Sequence, residues 1–515
     1  MRRIGIIVSV LAVSAGTVFS QSLIDGYKYS QSDLTGTARY ISMAGAFGAL
    51  GGDVSALTTN PAGLGIYRSS EVVTTLSVST VGAKADWVGS NVDERRTTFN
   101  FDNIAYVGYF PTGNDEGLVS WNAAFSYNRV KNYSRDYTMG AGSGLHTSLS
   151  DYTAERAAGY SASDLSNSSA YYDSDIDWLS LLSYQGGYIL SAKSNTYTSA
   201  FMDESGDWLS LEGAQLRVIE RGSIDKYNLG LGANISDVFY MGASVSITDL
   251  DYTYESMYDE TFSENSSLYL DNYLETSGTG YSFNVGIIIR PVDYFRFGVA
   301  YNSSTWYEMT DYYQGTAYSN IPTYTQSSYT ASTPNGAYYE YDFRSPDKWL
   351  VSAAVIIGTD ALISVDYELT NYNNMRFEET DGSSMVDTNQ DISDNFKIGH
   401  TVRVGGEVRM TPQFSLRAGV SYTSSPMESW LKEGSEVATA GTIPHYAVDD
   451  GPIMNYAVGF GYRFWRNFFA DLACVFRTYK EDVYAFSNIE DEIEAQPASM
   501  RTNTTRIALT IGYKF

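Results

Sequence analysis

The feature that most constrains this chain is a two-residue alternation of apolar and polar side chains, recurring in pairs of segments joined by tight turns. At period two, successive side chains point to opposite faces of a strand, so one face of each segment is apolar throughout. The final segment is the cleanest case, with Ile507, Leu509, Ile511, Tyr513 and Phe515 on one face and Arg506, Ala508, Thr510, Gly512 and Lys514 on the other. Tyr281 to Ile289 run into Arg290-Pro291-Val292-Asp293 and return through Phe295, Phe297, Val299 and Tyr301. Val402 to Met410 turn at Thr411-Pro412-Gln413 and return through Phe414 to Tyr422, while Tyr456 to Phe464 turn at Arg466-Asn467 and return through Ala470 to Phe476. Similar turns stand at Ser236-Asp237, at Gly358-Thr359-Asp360 and, slightly longer, from Pro111 to Gly117.

Between these hairpins lie long polar excursions, at 81–98, 132–211, 251–275, 308–345, 372–398, 425–452 and 486–501. A soluble β-sandwich would have short turns at both ends. Short turns on one side and long loops on the other mark an outer-membrane β-barrel. Six tight turns and seven long loops connect fourteen strands, from near Glu71 to Phe515, and the even count returns both ends to the periplasmic side. The predicted fold is all-β, a transmembrane antiparallel barrel over 71–515. Forty-four Tyr with 45 Gly and only 11 Pro suit strands with aromatic girdles and small side chains packed inside.

The first twenty residues have the layout of a cleavable export signal: Arg2 and Arg3, an apolar stretch from Ile4 to Val13, and small residues up to Ser20. Cleavage there would leave Gln21 first, with no cysteine to be lipidated, and no later segment has the 18 or so apolar residues of a spanning helix. The formal charge of −27 argues against a nucleic-acid partner, because a phosphate backbone needs a basic face. The acids cluster between strands, at Asp173, Asp175 and Asp177, at Glu378, Glu379 and Asp381, and from Glu490 to Glu494, as solvated loop surface does. Cys474 is the lone cysteine, so no intramolecular disulfide forms. Within 132–211, Glu155 to Ser161 and Asp177 to Leu182 read as short helices, and Trp178, Leu179, Leu181 and Leu182 would give the second an apolar face for a ligand or for packing onto the rim.

Residues 21–70 do not alternate. Ala38 to Leu50, rich in Ala and Gly, reads as a close-packed helix that Gly51-Gly52 stops; Asp53 would cap a second short turn and Asn60-Pro61 marks a bend. A small-residue segment ahead of the first strand has the size to fold into the lumen, or to hang as a periplasmic tail. Gly36-Thr-Ala-Arg39, Met43-Ala-Gly-Ala46, Gly52-Asp53-Val-Ser55-Ala56 and Asn60-Pro61-Ala62-Gly63-Leu64 together resemble the N-terminal hatch of the FadL/TodX (OMPP1) family of outer-membrane transporters. Val365-Asp366-Tyr367-Glu368 and the closing Tyr513-Lys514-Phe515 are family-like strand ends. The resemblance implies a fourteen-stranded barrel plugged by 21–70 and passive, monomeric uptake of long-chain fatty acids or other hydrophobic small molecules, without a cofactor. It also implies a hatch that shifts, Asp53, Asn60, Pro61, Ala62 and Gly63 at its core, and lateral release into outer-membrane lipid where an early strand kinks inward. The strand from Val119 to Arg129 is where that kink is expected.

Alternation turns Arg290, Arg296, Arg403, Arg409, Arg417, Arg463 and Arg477 inward, most of them near the tight-turn end. They would clamp a ligand carboxylate or hold Asp53 and the inward acids Asp366, Glu368, Glu407 and Asp471 in an ion-pair network, the commoner fate of charges inside a barrel. Catalysis has little footing, since only His146, His400 and His445 offer an imidazole base and no triad stands beside them. Asp387, Asn389 and Asp391 have the spacing of a calcium loop, but Ile392 and Ile398 stand where the loop needs Gly and Glu, so no metal site is expected. A general diffusion porin and a surface adhesin, the latter through the long acidic loops, are the other readings of such a barrel.

Overall fold

Because each strand must bury one face and offer the other to lipid, the alternation sets the wall. In the computed structural model, which describes residues 22–515 apart from 174–175, 194, 204, 323–327, 335–336, 435–436, 438–439, 466 and 490–491, fourteen antiparallel strands close into a barrel. The expected export signal lies outside the described residues. The strands are β1 (Glu71–Trp87), β2 (Ser90–Pro111), β3 (Leu118–Asn132, continued by Arg135–Ala141), β4 (Leu211–Ile235), β5 (Phe239–Phe262), β6 (Ser266–Val292) and β7 (Phe295–Asn302, continued by Trp306–Asn320). They are followed by β8 (Ala337–Arg344 with Lys348–Ile357), β9 (Ala361–Asn371), β10 (Ile398–Arg409), β11 (Phe414–Thr423), β12 (Ile453–Arg463), β13 (Phe468–Tyr484) and β14 (Ala498–Lys514). Antiparallel pairing of β1 with β14, from Glu71 opposite Lys514 to Asp86 opposite Ser499, closes the ring. Along β6 the outward Tyr281, Phe283, Val285, Ile287 and Ile289 are exposed, while the inward Asn284 and Ile288 are buried. Phe110, Trp121, Tyr462, Phe464 and Phe515 are exposed rings at the tight-turn end, an aromatic girdle.

The tight turns fall where the alternation places them, Arg466 of the Arg466-Asn467 turn lying outside the described residues, but three of the expected loops are hairpins. β1 and β2 continue to Val88 and Gly89, both at positive φ, and β5 and β6 continue to Glu264 and Asn265, likewise at positive φ. Two successive residues of that kind turn a chain back without splaying its strands. β7 likewise continues to Asn320. Polarity on both faces had suggested loop at 81–98, 251–275 and 308–345; beyond the lipid a strand needs only a backbone partner, and its outer face is free to carry Arg, Thr or Glu.

In the 132–211 excursion the first helix is Leu149–Arg156 rather than 155–161, because Ser148 and Asp151 form a capping box at its start. The second, Trp178–Gln185, is capped by Asp177, and Trp178, Leu179, Leu181 and Leu182 are buried in the extracellular core rather than open to a ligand. The calcium-like spacing is helical: Val386–Asn395 carries all three residues, and Asn389 hydrogen-bonds the backbone N–H and carbonyl of Phe377, both at 2.7 Å. No metal-holding cluster occurs among the described residues.

The N-terminal segment lies inside the barrel. Helix α1 (Leu23–Ser30) sits high, against rings of the extracellular half; helix α2 (Ala38–Ser42) and two 3-10 turns, Val54–Thr58 and Pro61–Ile66, descend to the tight-turn end where β1 begins. The expected helix to Leu50 stops at Ser42, since Ala44 and Gly45 both take positive φ and cannot continue it. Inward glycines receive the backbone of this segment. A Cβ on Gly405 would fall 2.5 Å from the Met43 carbonyl oxygen and one on Gly459 2.6 Å from the Ser42 Cβ, while one on Gly242 would collide with the Pro61 backbone.

Candidate functional site

The lower half of the N-terminal segment is held by a few polar anchors. Thr37 caps α2, and the Ala38 N–H donates to the Thr510 hydroxyl at 2.7 Å. One Asp366 oxygen accepts from the N–H groups of Phe47 (3.0 Å) and Gly48 (2.9 Å). Asp53 caps the first 3-10 turn, accepting from the Ser55 N–H and the Thr37 hydroxyl, and among the described residues takes no arginine into its hydrogen bonds. Asn60, wholly buried, caps the second: its Oδ1 accepts from the Ala62 N–H at 3.1 Å, and its Nδ2 donates to the carbonyls of Gly48 (2.7 Å) and Ile287 (3.3 Å). Pro61 opens the turn, where its missing N–H costs nothing. Ala62 is fully buried, and the Gly63 carbonyl accepts from the Gly52 N–H at 3.1 Å, with no room between Gly63 and Gly51 for a Cβ.

The arginines divide. Arg417 bridges Glu407 (2.6 Å) and Asp471 (2.5 Å), and Glu407 also takes Arg39 of α2 at 3.0 Å. Arg403 pairs with Glu368 at 3.0 Å, and Arg296 donates to the Leu50 carbonyl at 2.6 Å. Arg409 and Arg463 line a recess at the periplasmic mouth, together with Asp53, and Arg290 lies at the β6–β7 turn, 3.5 Å from Asp293. Of the seven arginines expected to point inward, only Arg403 and Arg477 line the cavities above the plug.

Two cavities flank the upper plug. The first, about 160 Å³, lies between α1, the upper ends of β1 to β4, and the loop before β12. The second, about 240 Å³, lies across the segment from Tyr27 to Leu34 and reaches Lys226, Tyr307, Lys348, Glu368 and Arg403. Tyr27, Gln31, Asp33, Leu34, Asn455 and Arg477 line both, so this short stretch is the partition between them. Asp33 is its keystone: Arg477, Lys131 (3.4 Å) and Arg506 (3.7 Å) converge on it. Burial pushes the Asp33 carboxyl up, but the three cations outweigh it and hold it well below the usual carboxylate range. Lys28 of α1 donates to the Tyr252 hydroxyl at 2.8 Å and lies 3.7 Å from Glu220, and Arg135 joins Glu220 (2.9 Å) to Glu481 (2.7 Å). The first cavity is lined by five cations (Lys28, Lys131, Arg135, Arg477, Arg506) and five acids (Asp25, Asp33, Glu220, Asp449, Glu481), so their formal charges cancel.

Alternation could not find Lys131. Trp121 and Phe125 on the same odd positions face out, but a bulge at Val130 shifts the register and turns Lys131 inward beside Ile224.

The same stretch breaks the wall. Among the described residues, β2 pairs with β3 only from Asn103 opposite Asn128 to Pro111 opposite Ser120, and above Asn103 it pairs with β1 alone. β3 is interrupted at Tyr133 and Ser134, facing Gly222 of β4 at φ +108°, and Arg135–Ala141 leans over the inner faces of β1 and β2, buried on both its sides. The inward kink thus falls at 130–134, past the expected 119–129, because its cause is the bulge and a glycine on the neighbouring strand rather than a breaker within β3. Side chains alone bridge the breach: Asn132 donates to Asn100 at 2.6 Å, and Arg96 lies 3.3 Å from Asp136.

A family described as outer membrane protein transport protein (OMPP1/FadL/TodX) matches residues 224–515. The fold is similar to that of a Pseudomonas aeruginosa FadL homologue, with 13% identity, TM-score 0.52, and 94% of this chain and 99% of that one covered. It is also similar to the P. putida toluene transporter TodX, with 13% identity, TM-score 0.50 and the same coverage. No curated protein matches the sequence.

Proposed function

Since the chain belongs to the OMPP1/FadL/TodX family of outer-membrane transport proteins, we propose that it carries hydrophobic small molecules, long-chain fatty acids among them, passively across that membrane. The ligand lodges in the cavities beside α1, the plug from Leu23 to Ile66 gates the path, and release is sideways into lipid between β2 and β3. The observation that carries this reading is the run of β2 above Asn103 with no ladder partner on its β3 side. Where the break begins, beside the outward Phe99 and Phe101, the edge still faces lipid, and unpaired strand edges are not tolerated there unless covered, so such a break is retained for use. Thr98 and Asn132, from its two banks, line the first cavity, which therefore reaches the breach. The gradient supplies the driving force, and the protein lowers the barrier by sparing an apolar solute the polar leaflet.

The test places cysteines at Asn100 and Asn132, with Cys474→Ser to remove the native thiol, and bridges them with a short bis-thiol reagent in reconstituted vesicles. Uptake of labelled palmitate should fall to that of empty vesicles and return when the bridge is cleaved. Undiminished uptake would refute lateral release, and steady ion conductance without uptake would refute the carrier in favour of a porin.

A further inference from the structure

The loop before β12 roofs the first cavity, and His445 stands in that roof, 5% exposed and lining the cavity. Its Nδ1 lies 2.8 Å from the Ala485 carbonyl oxygen, an acceptor only, so Nδ1 carries the hydrogen. The ring is then neutral, with the lone pair on Nε2, and Nε2 has no hydrogen-bond partner among the described residues. Burial pushes His445 down to about 4, which keeps the ring neutral at physiological pH. A buried acceptor of this strength calls for a donor, and at a cavity wall a ligand hydroxyl can supply it. Every cation lining the cavity has an acid within 4 Å, and Lys131, Arg477 and Arg506 share the one carboxylate of Asp33, so the positive charge gathers at the partition and not in the roof beside His445. Tyr133, Tyr137, Tyr254 and Leu274 give the space an apolar and aromatic wall.

From this geometry we infer that the first cavity selects a neutral apolar molecule bearing one hydroxyl, an alcohol or phenol, whose O–H donates to His445 Nε2. This rests on the carrier reading and names the ligand class at its upper site. A hydrocarbon fits the walls but leaves Nε2 unpaired. A carboxylate brings acceptors to an acceptor.

Binding of 2-naphthol, naphthalene and 2-naphthoate to the purified full-length protein in detergent, corrected for partition into empty micelles, tests it. Naphthol should bind about three- to tenfold more tightly than naphthalene, the yield of one net hydrogen bond. His445→Phe should abolish that preference, naphthol then binding no more tightly than naphthalene. With three histidines in the chain, ¹⁵N-histidine labelling supplies a readout without a variant: the His445 Nε2 resonance should move with naphthol and stay with naphthalene. Equal affinities, tightest binding of naphthoate, or an unmoved resonance would overturn the inference while leaving transport standing. Failure of all three probes to bind, together with no uptake of naphthalene, would overturn the carrier reading as well.

Discussion

Asn60→Ala removes the residue on which the lower plug turns. The side chain is fully buried and makes three hydrogen bonds, one capping the Pro61–Ile66 turn and two tying it to the Gly48 and Ile287 carbonyls. Loss of an N-cap costs about 1 kcal/mol, and a buried carbonyl left without its donor costs about 1–3 kcal/mol. The longer contact to Ile287 adds little. The plug should therefore lose about 2–4 kcal/mol of docking energy, a shift of about 30- to 700-fold in the docked-to-undocked ratio. Pairing between barrel strands does not involve Asn60, so the loss is local. Native-state hydrogen exchange reads it: amides from 48 to 63 should exchange faster by that factor, those of β1 to β14 should not, and planar bilayers should show brief openings absent from the parent. Asn60→Asp, which keeps the acceptor for Ala62 but turns an acceptor toward the Gly48 and Ile287 carbonyls, should lose at least as much. A folded Asn60→Ala protein with unchanged exchange over 48–63 and silent bilayers would refute the assignment of plug anchoring to this side chain.

Gly405→Val should press a side chain into the Met43 backbone and loosen residues 38–50 by about 1–3 kcal/mol, as overpacking does; Gly406→Val, whose Cβ would meet nothing nearer than 3.5 Å, should change nothing, and equal exchange in the two variants would remove the glycine floor from the account. Asp449, in the roof loop, is raised to about 6 by burial, and Glu481 adds to the rise although the Tyr27 hydroxyl opposes it. Its pKa is higher in the closed roof than in an open one, so proton binding favours closure: the added stability is full below pH ~4 and lost as pH rises through about 6. Protection of the 443–449 amides, measured against the unstructured rate at each pH, should accordingly be higher at pH 5 than at pH 7.5, and Asp449→Asn should flatten the difference.

The strand count and the tight turns were legible because lipid imposes period two and short turns need Pro, Gly, Asn or Asp. The hairpin extensions at Val88-Gly89 and Glu264-Asn265 were not, because polarity signals only that a segment has left the membrane. In the plug, the Asp53 cap and the bend at Asn60-Pro61 could be read, since both act within two residues. The end of α2 at Ser42 could not, since Ala44 takes a left-handed φ that favours glycine. Inward arginines followed from parity, but parity gives direction and not height: Arg409 and Arg463 fall at the mouth, whereas Lys131 reaches the cavity through a bulge that no residue type announces. His445 was visible only as one of three histidines, its orphan nitrogen being a property of the roof.

One tether of the plug joins the Ala38 N–H to the Thr510 hydroxyl, 472 positions apart along the chain, at 2.7 Å. Residues leading the chain into the periplasm thus find their seat only after nearly the whole wall exists. Bonds between so distant partners form late and slowly, which makes plug docking the closing step of assembly and leaves the freshly sealed barrel open for a time. The glycine floor eases that step: a wall without side chains offers an incoming backbone a smooth track, with Asp366, Arg417 and the Asp33 cluster as stops along it. Biogenesis would then pass through a leaky interval whose length is set by those few polar stops rather than by the wall.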